Sequence, residues 1–354
     1  MSFQITVQSS SNSNLTKTFD CQAGETLLDA ALRAQIVLPY GCKNGACGSC
    51  KGKVLQGSFD MKPHDHSILT QAEHEQHTTL LCSVRPQSDL VVEARLLEGG
   101  ITVQKMPGRV HSLVRLNDDV MKLLIQLPNQ NTFEFKAGQY IDFILKSGDR
   151  RSYSMATAPS EKTGLVEFHI RWMQGGVFTE HVFEHMKERE ILRMEGPLGT
   201  FYLRDTKAPI IMLASGTGFA PIYSILKEIV AQNGKNVTDR SIHFYWGARR
   251  RADLYASTQI EALTAQLTQL NVAFKYIPVL SEPSPECQWT GRTGLVHHAV
   301  LADFAHLNGY EIYACGAPIM VNAAHTDFVN QKQMNEDDFF SDAFISKADL
   351  IKNT

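Results

Sequence analysis

The sequence predicts a multidomain chain of three consecutive units. Residues 1–94 form a small α+β unit and 95–106 a linker. Residues 107–204 form an antiparallel β-barrel, and 205–354 an α/β unit around a parallel sheet. Three observations predict this. The stretch RLLEGGITVQKM carries Gly99-Gly100 and reads as a connection. Beyond it, short alternating runs separated by turn residues recur (GRVHSLVRL, VMKLLIQL, GQYIDFIL, LVEFHIRW), a small-barrel rhythm. From about 205, apolar strands PIIMLA, SIHFYWG, FKYIPVL and EIYACG alternate with helical stretches, the pattern of a parallel sheet. The 354 residues suit two or three domains at roughly 100–200 residues each.

In the first unit Phe3, Ile5 and Val7 alternate as in a strand, and a second strand runs near 15–20. GETLLDAALRAQ is a helix, with Thr26 and Asp29 spaced as a capping box. Thr70 with Glu73 marks another helix start, and SDLVVEARL closes the unit as a strand. Lys and Arg number 34 against 37 Asp and Glu, a net charge of −3, so no basic field exists to hold nucleic acid. The N-terminus has no basic-then-apolar leader, which predicts a cytoplasmic protein with reduced thiols. The uncharged run Ala208–Leu226 is broken by Pro209, Gly216, Gly218 and Pro221 into strand, loop and helix, not a membrane span.

Seven cysteines are too few for a disulfide scaffold, yet three fall within nine residues. Cys42, Cys47 and Cys50 are spaced C-x4-C-x2-C, and Cys82 follows. This is the plant-type [2Fe–2S] spacing. Four thiolates must surround two irons, and Gly41, Gly45 and Gly48 let the backbone turn closely around them with positive φ. Zinc ribbons and fingers prefer paired C-x2-C or C-x2-C…H-x3-5-H spacings, whereas only one C-x2-C exists here with no second pair, and reduced thiols argue against disulfides. Cys21 and Cys287 are incidental. Lys43, Lys51 and Lys53 beside the loop offer a basic trio for docking, or simply a solvated rim.

Gly175 and Gly176 open the helical stretch TEHVFEHMKER. Free N–H groups there, with the Thr179 hydroxyl, suit a pyrophosphate. His181 and His185 lack the acid of H-E-x-x-H and read as ordinary histidines, and His64, His66, His74 and His77 as a solvated patch. After PIIMLA, Ser215-Gly216-Thr217-Gly218 leads into a helix with Pro221 in its first turn, a dinucleotide-phosphate turn. No acid ends the next strand. Arg249-Arg250-Arg251 stands there instead, a setting that admits a 2′-phosphate.

The cysteine stretch with its flanks resembles the plant-type ferredoxin domain, which implies a β-grasp fold and Cys42, Cys47, Cys50 and Cys82 as ligands. Arg151-Ser152-Tyr153-Ser154, HIRWMQGGVFTEHVF, GPLGTF, GTGFAP, YWGAR and YACGAP follow in the order of the ferredoxin-NADP reductase superfamily. That resemblance implies flavin-phosphate binding by Arg151 and a Tyr153 ring on the isoalloxazine. Ser152 joins the cofactor contacts, Ser154 sits near the reactive nitrogen, and His169 and Arg171 line the flavin. It places Cys315-Gly316 at the nicotinamide, with Gly216, Thr217, Gly218, Pro221 and Arg249 on the nucleotide, and Ser154 and Cys315 organising hydride transfer. The terminal FFSDAF (339–344) resembles the segment that lies near the flavin. Ala317 departs from the usual CGP.

Over about 1–345 the chain resembles the ferredoxin-first reductases, closest to the CDP-6-deoxy-delta-3,4-glucoseen reductase type and to reductase components of phenol and ring-hydroxylating oxygenases. The resemblance implies a [2Fe–2S] cluster, FAD rather than FMN, and NADH with NADPH as the alternative. Electrons would pass to a protein acceptor, a deoxysugar dehydratase or an oxygenase component. The competing readings are an autonomous flavin or quinone reductase, which needs no one-electron relay, and a cluster-based redox sensor, which needs no nicotinamide turn.

Overall fold

The computed structural model describes residues 1–10, 14–45, 47–64, 68–69, 71–97, 102–128 and 133–344. The chain divides into two compact units, Met1–Thr102 together with the last described residues Ala343 and Phe344, and Val103–Asp342. Thr70, His66 and the Gly99-Gly100 pair lie outside the described residues.

The first unit contains β1 (Ser2–Ser9), β2 (Thr16–Gln22), α1 (Leu27–Arg33), β3 (Lys51–Gln56), β4 (Phe59–Met61), α2 (Gln71–Glu75), β5 (Thr78–Leu80), β6 (Val84–Pro86) and β7 (Leu90–Ala94). The main sheet runs β2-β1-β7-β3-β5, with β1 and β7 parallel and the other described pairs antiparallel. Alternation in β1 sends Ile5 and Val7 inward, both fully buried. Thr26 caps the helix, its Oγ1 accepting from Asp29 N at 3.2 Å, but the return bond of the expected box differs: the Asp29 carboxylate accepts from the Thr26 hydroxyl at 2.7 Å rather than from its backbone N–H. Leu27, Leu28, Ala30 and Ala31 form the buried face of α1. This is the β-grasp arrangement expected of the cysteine stretch.

The second unit begins as a six-stranded antiparallel sheet. Its strands are β8 (Gln104–Arg115), β9 (Val120–Gln126), β10 (Tyr140–Ile144), β11 (Arg150–Ser154), β12 (Leu165–Arg171) and β13 (Ile191–Leu198). The order is β11-β10-β13-β8-β9-β12. Just past β11, Met155 bridges Phe168 of β12, and Ala156 N donates to Glu167 O at 2.8 Å, which closes the sheet into a barrel. Leu123, Ile141, Phe143, Met155, Phe168 and Ile170 fill it. Strand β8 starts inside 95–106, so that stretch ends as barrel strand. The helix expected from Thr179 differs: α3 covers Val177–Glu180, and a wide turn follows over His181–His185, closed by Met186 N to His181 O at 2.7 Å. That i→i+5 bond widens and underwinds the turn, and the helix ends there.

The remaining elements are β14 (Ile210–Ser215), α4 (Phe219–Ala231), β15 (Ile242–Ala248), α5 (Ser257–Gln269), β16 (Phe274–Leu280), β17 (Arg292–Thr293), α6 (Val296–Asp303), β18 (Glu311–Gly316), α7 (Pro318–Lys332) and β19 (Phe339–Ala343). They build a sheet of order β17-β16-β15-β14-β18-β19, parallel from β17 to β18. The chain runs outward from β14 to β17, then returns to lay β18 on the other side of β14. The carboxyl ends of β14 and β18 therefore flank a switch point, where ligands bind in open α/β sheets. Both strands are apolar on both faces, as central parallel strands must be. Ala208–Leu226 divides into strand, turn and helix, and among the described residues no helix is long and apolar enough to cross a membrane.

Candidate functional site

Four thiols converge in the first unit. Cys47, Cys50 and Cys82 are buried and Cys42 is partly so. Cys42 hydrogen-bonds Cys47, and Cys50 hydrogen-bonds Cys82. The bond from Cys42 holds the Cys47 thiol down at about 6, and the bond from Cys50 lowers Cys82. The Cys42 N–H points at Cys47 Sγ at 3.4 Å, and Ser49 Oγ stands 3.4 Å from the same sulfur. Two hydrogen-bonded thiol pairs close enough to feel each other's charge, with backbone and hydroxyl groups on them, fit a two-iron cluster. Positive φ falls on Lys43 (59°), Gly45 (77°) and Gly48 (75°), with Gly41 not among them. A Cβ on Gly45 would lie 2.6 Å from His64 Cβ, so the loop closes only over glycine. The basic trio is not a free cationic surface. Lys43 pairs with Asp29 at 2.9 Å, Lys51 pairs with Glu73, and Lys53 alone lacks an ion pair among the described residues.

In the barrel, β11 sends Arg151 and Tyr153 to one face and Ser152 and Ser154 to the other. The Tyr153 ring rests 5.3 Å from Phe178 and 5.9 Å from Phe143. The Arg151 guanidinium bonds only its neighbour's carbonyl, Arg150 O, among the described residues. An open cation two residues from a seated aromatic ring fits a flavin and its phosphate. Ser152 does not join them. It donates to Asp142 at 2.6 Å, where Arg150 also pairs. Gly175 has φ 72° and open space around it, but its N–H is taken by Glu180 at 2.8 Å. The Thr179 hydroxyl is likewise spent within the loop, on Met173 O and Gly176 O.

The crevice at β14 and β18 is tightly keyed. A Cβ on Gly218 would sit 2.2 Å from Cys315 O, and one on Gly316 (φ 131°) would sit 2.3 Å from Ser215 Oγ. Ala317 N donates to that hydroxyl at 2.9 Å, and Trp246 Nε1 donates to Gly216 O at 3.1 Å. Pro221 lies in the first turn of α4 and Thr217 in the short turn before it. Arg171 stands over the turn: its NH1 is 3.1 Å from where a Gly216 Cβ would be, and Nε bonds Asp119 at 2.7 Å. Arg249 is exposed at the end of β15, its side chain without a hydrogen bond or ion pair among the described residues.

Ser154 and Cys315 are brought together through a third residue. Ser154 Oγ donates to Asp342 Oδ2 at 3.0 Å. Burial, and then the Asp342 charge, push the Cys315 thiol well above its usual range. Asp342 is 5% exposed, and sequence reasoning gave it no role, although FFSDAF contained it. His169 is absent from this group. It is buried between Glu167 (Nε2 to Oε1, 2.8 Å) and the Tyr255 hydroxyl (3.0 Å from Nδ1), parallel to Phe219 at 6.1 Å. Phe219 stacks in turn on Trp246 at 4.3 Å. Tyr255 and Trp246 were not foreseen. Their signal was an aromatic pair flanking GARRRADL.

Comparisons with known proteins fit this geometry. A 2Fe-2S iron-sulfur cluster binding domain model matches residues 11–87, an oxidoreductase FAD-binding domain model 107–202, and an oxidoreductase NAD-binding domain model 212–326. The chain is 36% identical over 329 residues to the CDP-6-deoxy-L-threo-D-glycero-4-hexulose-3-dehydrase reductase of Yersinia pestis, covering 92% of this chain and 95% of that protein. It is 34% identical over 356 residues to the phenol hydroxylase P5 protein of Acinetobacter pittii, covering 99% and 96%. Among solved structures, the Amycolatopsis cytochrome P450 reductase GcoB superposes with a TM-score of 0.76 at 28% identity, covering 96% of this chain and 98% of that one.

Proposed function

The chain belongs to the ferredoxin-first NAD(P)H reductases that serve dehydratase and oxygenase systems, and from that premise we propose which residues run its reaction. It is an oxidoreductase that passes electrons from NAD(P)H through FAD and a [2Fe–2S] cluster to an acceptor protein. When bound, FAD supplies hydride acceptance from nicotinamide and the cluster supplies one-electron delivery.

The residues divide the work. Cys42, Cys47, Cys50 and Cys82 hold the cluster. Arg151 neutralises flavin phosphate and Tyr153 seats the ring. Gly175 leaves room for the pyrophosphate beside it, while Gly176, crowded by Thr179 and Met173, closes the turn. Gly216, Thr217, Gly218 and Gly316 shape the nicotinamide floor, and Arg171 offers the dinucleotide phosphates a cation. Asp342 fixes the Ser154 hydroxyl, so Ser154 Oγ is the atom at which a proton is held beside the reacting ring. Burial keeps Cys315 a neutral thiol, which adds no charge where hydride must pass. The observation that carries this reading is the Ser154–Asp342 hydrogen bond with Cys315 in the same field, three distant segments converging at the switch point.

Rapid anaerobic mixing with NADH tests it. Bleaching of the flavin and cluster absorbance is expected. An unbleached spectrum leaves only the sensor reading. Arg151→Ala is expected to lose FAD on dialysis, and undiminished flavin content counts against its role.

For the acceptor, a deoxysugar dehydratase is the first reading, because the relatives at 36% identity include reductases so named. An oxygenase component is the second, resting on the phenol hydroxylase relative. NADH-driven turnover of each purified acceptor decides between them. NADH is the family expectation. The exposed, unpaired Arg249 is the observation on the side of NADPH, and the ratio of kcat/KM for the two nucleotides before and after Arg249→Ala measures it.

A further inference from the structure

We propose that α6 and α7 together form a binding site for a divalent ion of the zinc class, made by His297, His298 and Asp327. The ligand atoms these three offer all lie within 4.8 Å of one another. His297 Nε2 is 3.4 Å from Asp327 Oδ2. Zinc holds nitrogen and oxygen at about 2.0–2.2 Å, so two donors on one tetrahedral ion stand about 3.4 Å apart. The pair already has that spacing, which is too long for a good charge-assisted hydrogen bond.

The surroundings point the same way. His297 is only 4% exposed, and its Nδ1 has no hydrogen-bond partner among the described residues. The pair with Asp327 is then the one polar contact of a buried ring that hydrogen bonds do not otherwise hold. Asp327 is already oriented, because Gln331 Nε2 donates to its Oδ1 at 2.9 Å and leaves Oδ2 for His297. His298 is exposed with its ring 4.3 Å from that of His297, so a rotation of a free side chain closes the triad. Two imidazoles and one carboxylate suit zinc, nickel or copper rather than magnesium or calcium. Three protein ligands leave a fourth position open to water.

The site is separate from the redox residues. Its consequence reaches them through the helices, since α7 starts at Pro318, directly after Cys315-Gly316-Ala317, and Val296 of α6 packs where a Gly247 Cβ would be. An ion would clamp the two helices that lead out of the crevice.

Equilibrium dialysis of the flavin- and cluster-loaded protein against micromolar zinc, with metal counted by mass spectrometry, tests the site. A Cys287→Ser background removes the partly exposed thiol from the count. The parent is expected to bind one zinc that His298→Ala and Asp327→Asn bind about tenfold or more weakly. Zinc should raise the melting temperature of the parent only. His298 is exposed, so its variant keeps its FAD and cluster absorbance and shows that the fold is intact. Equal zinc binding by the parent and both folded variants would overturn the site. This outcome is independent of the redox reading.

Discussion

The loop proposed to hold the cluster and the crevice proposed for hydride transfer solve the same problem from opposite ends of the chain's logic. Three of the four cluster thiols come from nine consecutive residues, Cys42 to Cys50, and their geometry is set by Lys43, Gly45 and Gly48 in positive φ. Ser154 and Asp342 are 188 residues apart, and the crevice exists only once a barrel strand, β18 and β19 have assembled. A local loop announces itself by spacing. An assembled site shows only fragments, each weak alone. The two should also fail differently, one by losing its group and the other by losing alignment.

The largest expected effect is on the loop. Cys47→Ser should abolish the cluster absorbance and cytochrome c reduction, while NADH-driven ferricyanide reduction persists. If both activities vanish with FAD still bound, the two sites are not separable in this way. Next is Gly218→Ala. Its methyl would need the space of the Cys315 carbonyl, 2.2 Å away, and a shift of about 1 Å at a hydride site costs on the order of 100-fold. Stopped-flow flavin reduction should slow by that order with cluster and FAD content unchanged. Ser154→Ala removes one hydrogen-bonded group and should slow the same step about 10-fold, since a bond of about 1.4 kcal/mol is at stake. An unchanged rate would place the proton elsewhere. The smallest effect is Tyr255→Phe, which removes the hydroxyl on His169 and should cost about 1 kcal/mol, a fall of roughly 2–4 °C in melting temperature for a unit of this size.

Much of the fold was legible because it follows short-range rules. The runs GQYIDFIL, LVEFHIRW, PIIMLA, SIHFYWG, FKYIPVL and EIYACG all became strands, since burial on one face leaves an alternation and burial on both leaves a short apolar run between turn residues. Thr26 capped α1 because its partner, Asp29 N, lies only three residues on. What escaped depends on partners far along the chain. Lys43 and Lys51 looked like a docking surface until Asp29 and Glu73 arrived beside them. His169 looked like a flavin contact, but Tyr255 and Glu167 claim both its nitrogens. Ser152 is different. Its turn away from Arg151 and Tyr153 follows from strand alternation alone, a signal the sequence did contain. Asp342 was visible as a letter in FFSDAF, but its role required Ser154 to meet it.

The stack His169–Phe219–Trp246 has a consequence for inheritance. It threads from the barrel strand β12 through the first residue of α4 into β15, and Ser224 Oγ on α4 ties to Thr157 O at 2.6 Å behind it. Two family models meet within this one compact unit. Cut between them, the chain would bare Phe219 and leave the buried His169 without its Tyr255 partner. The flavin and nucleotide halves should therefore melt as a single calorimetric transition. They should also be exchangeable between relatives only as a pair, whereas the cysteine loop carries most of its own geometry with it.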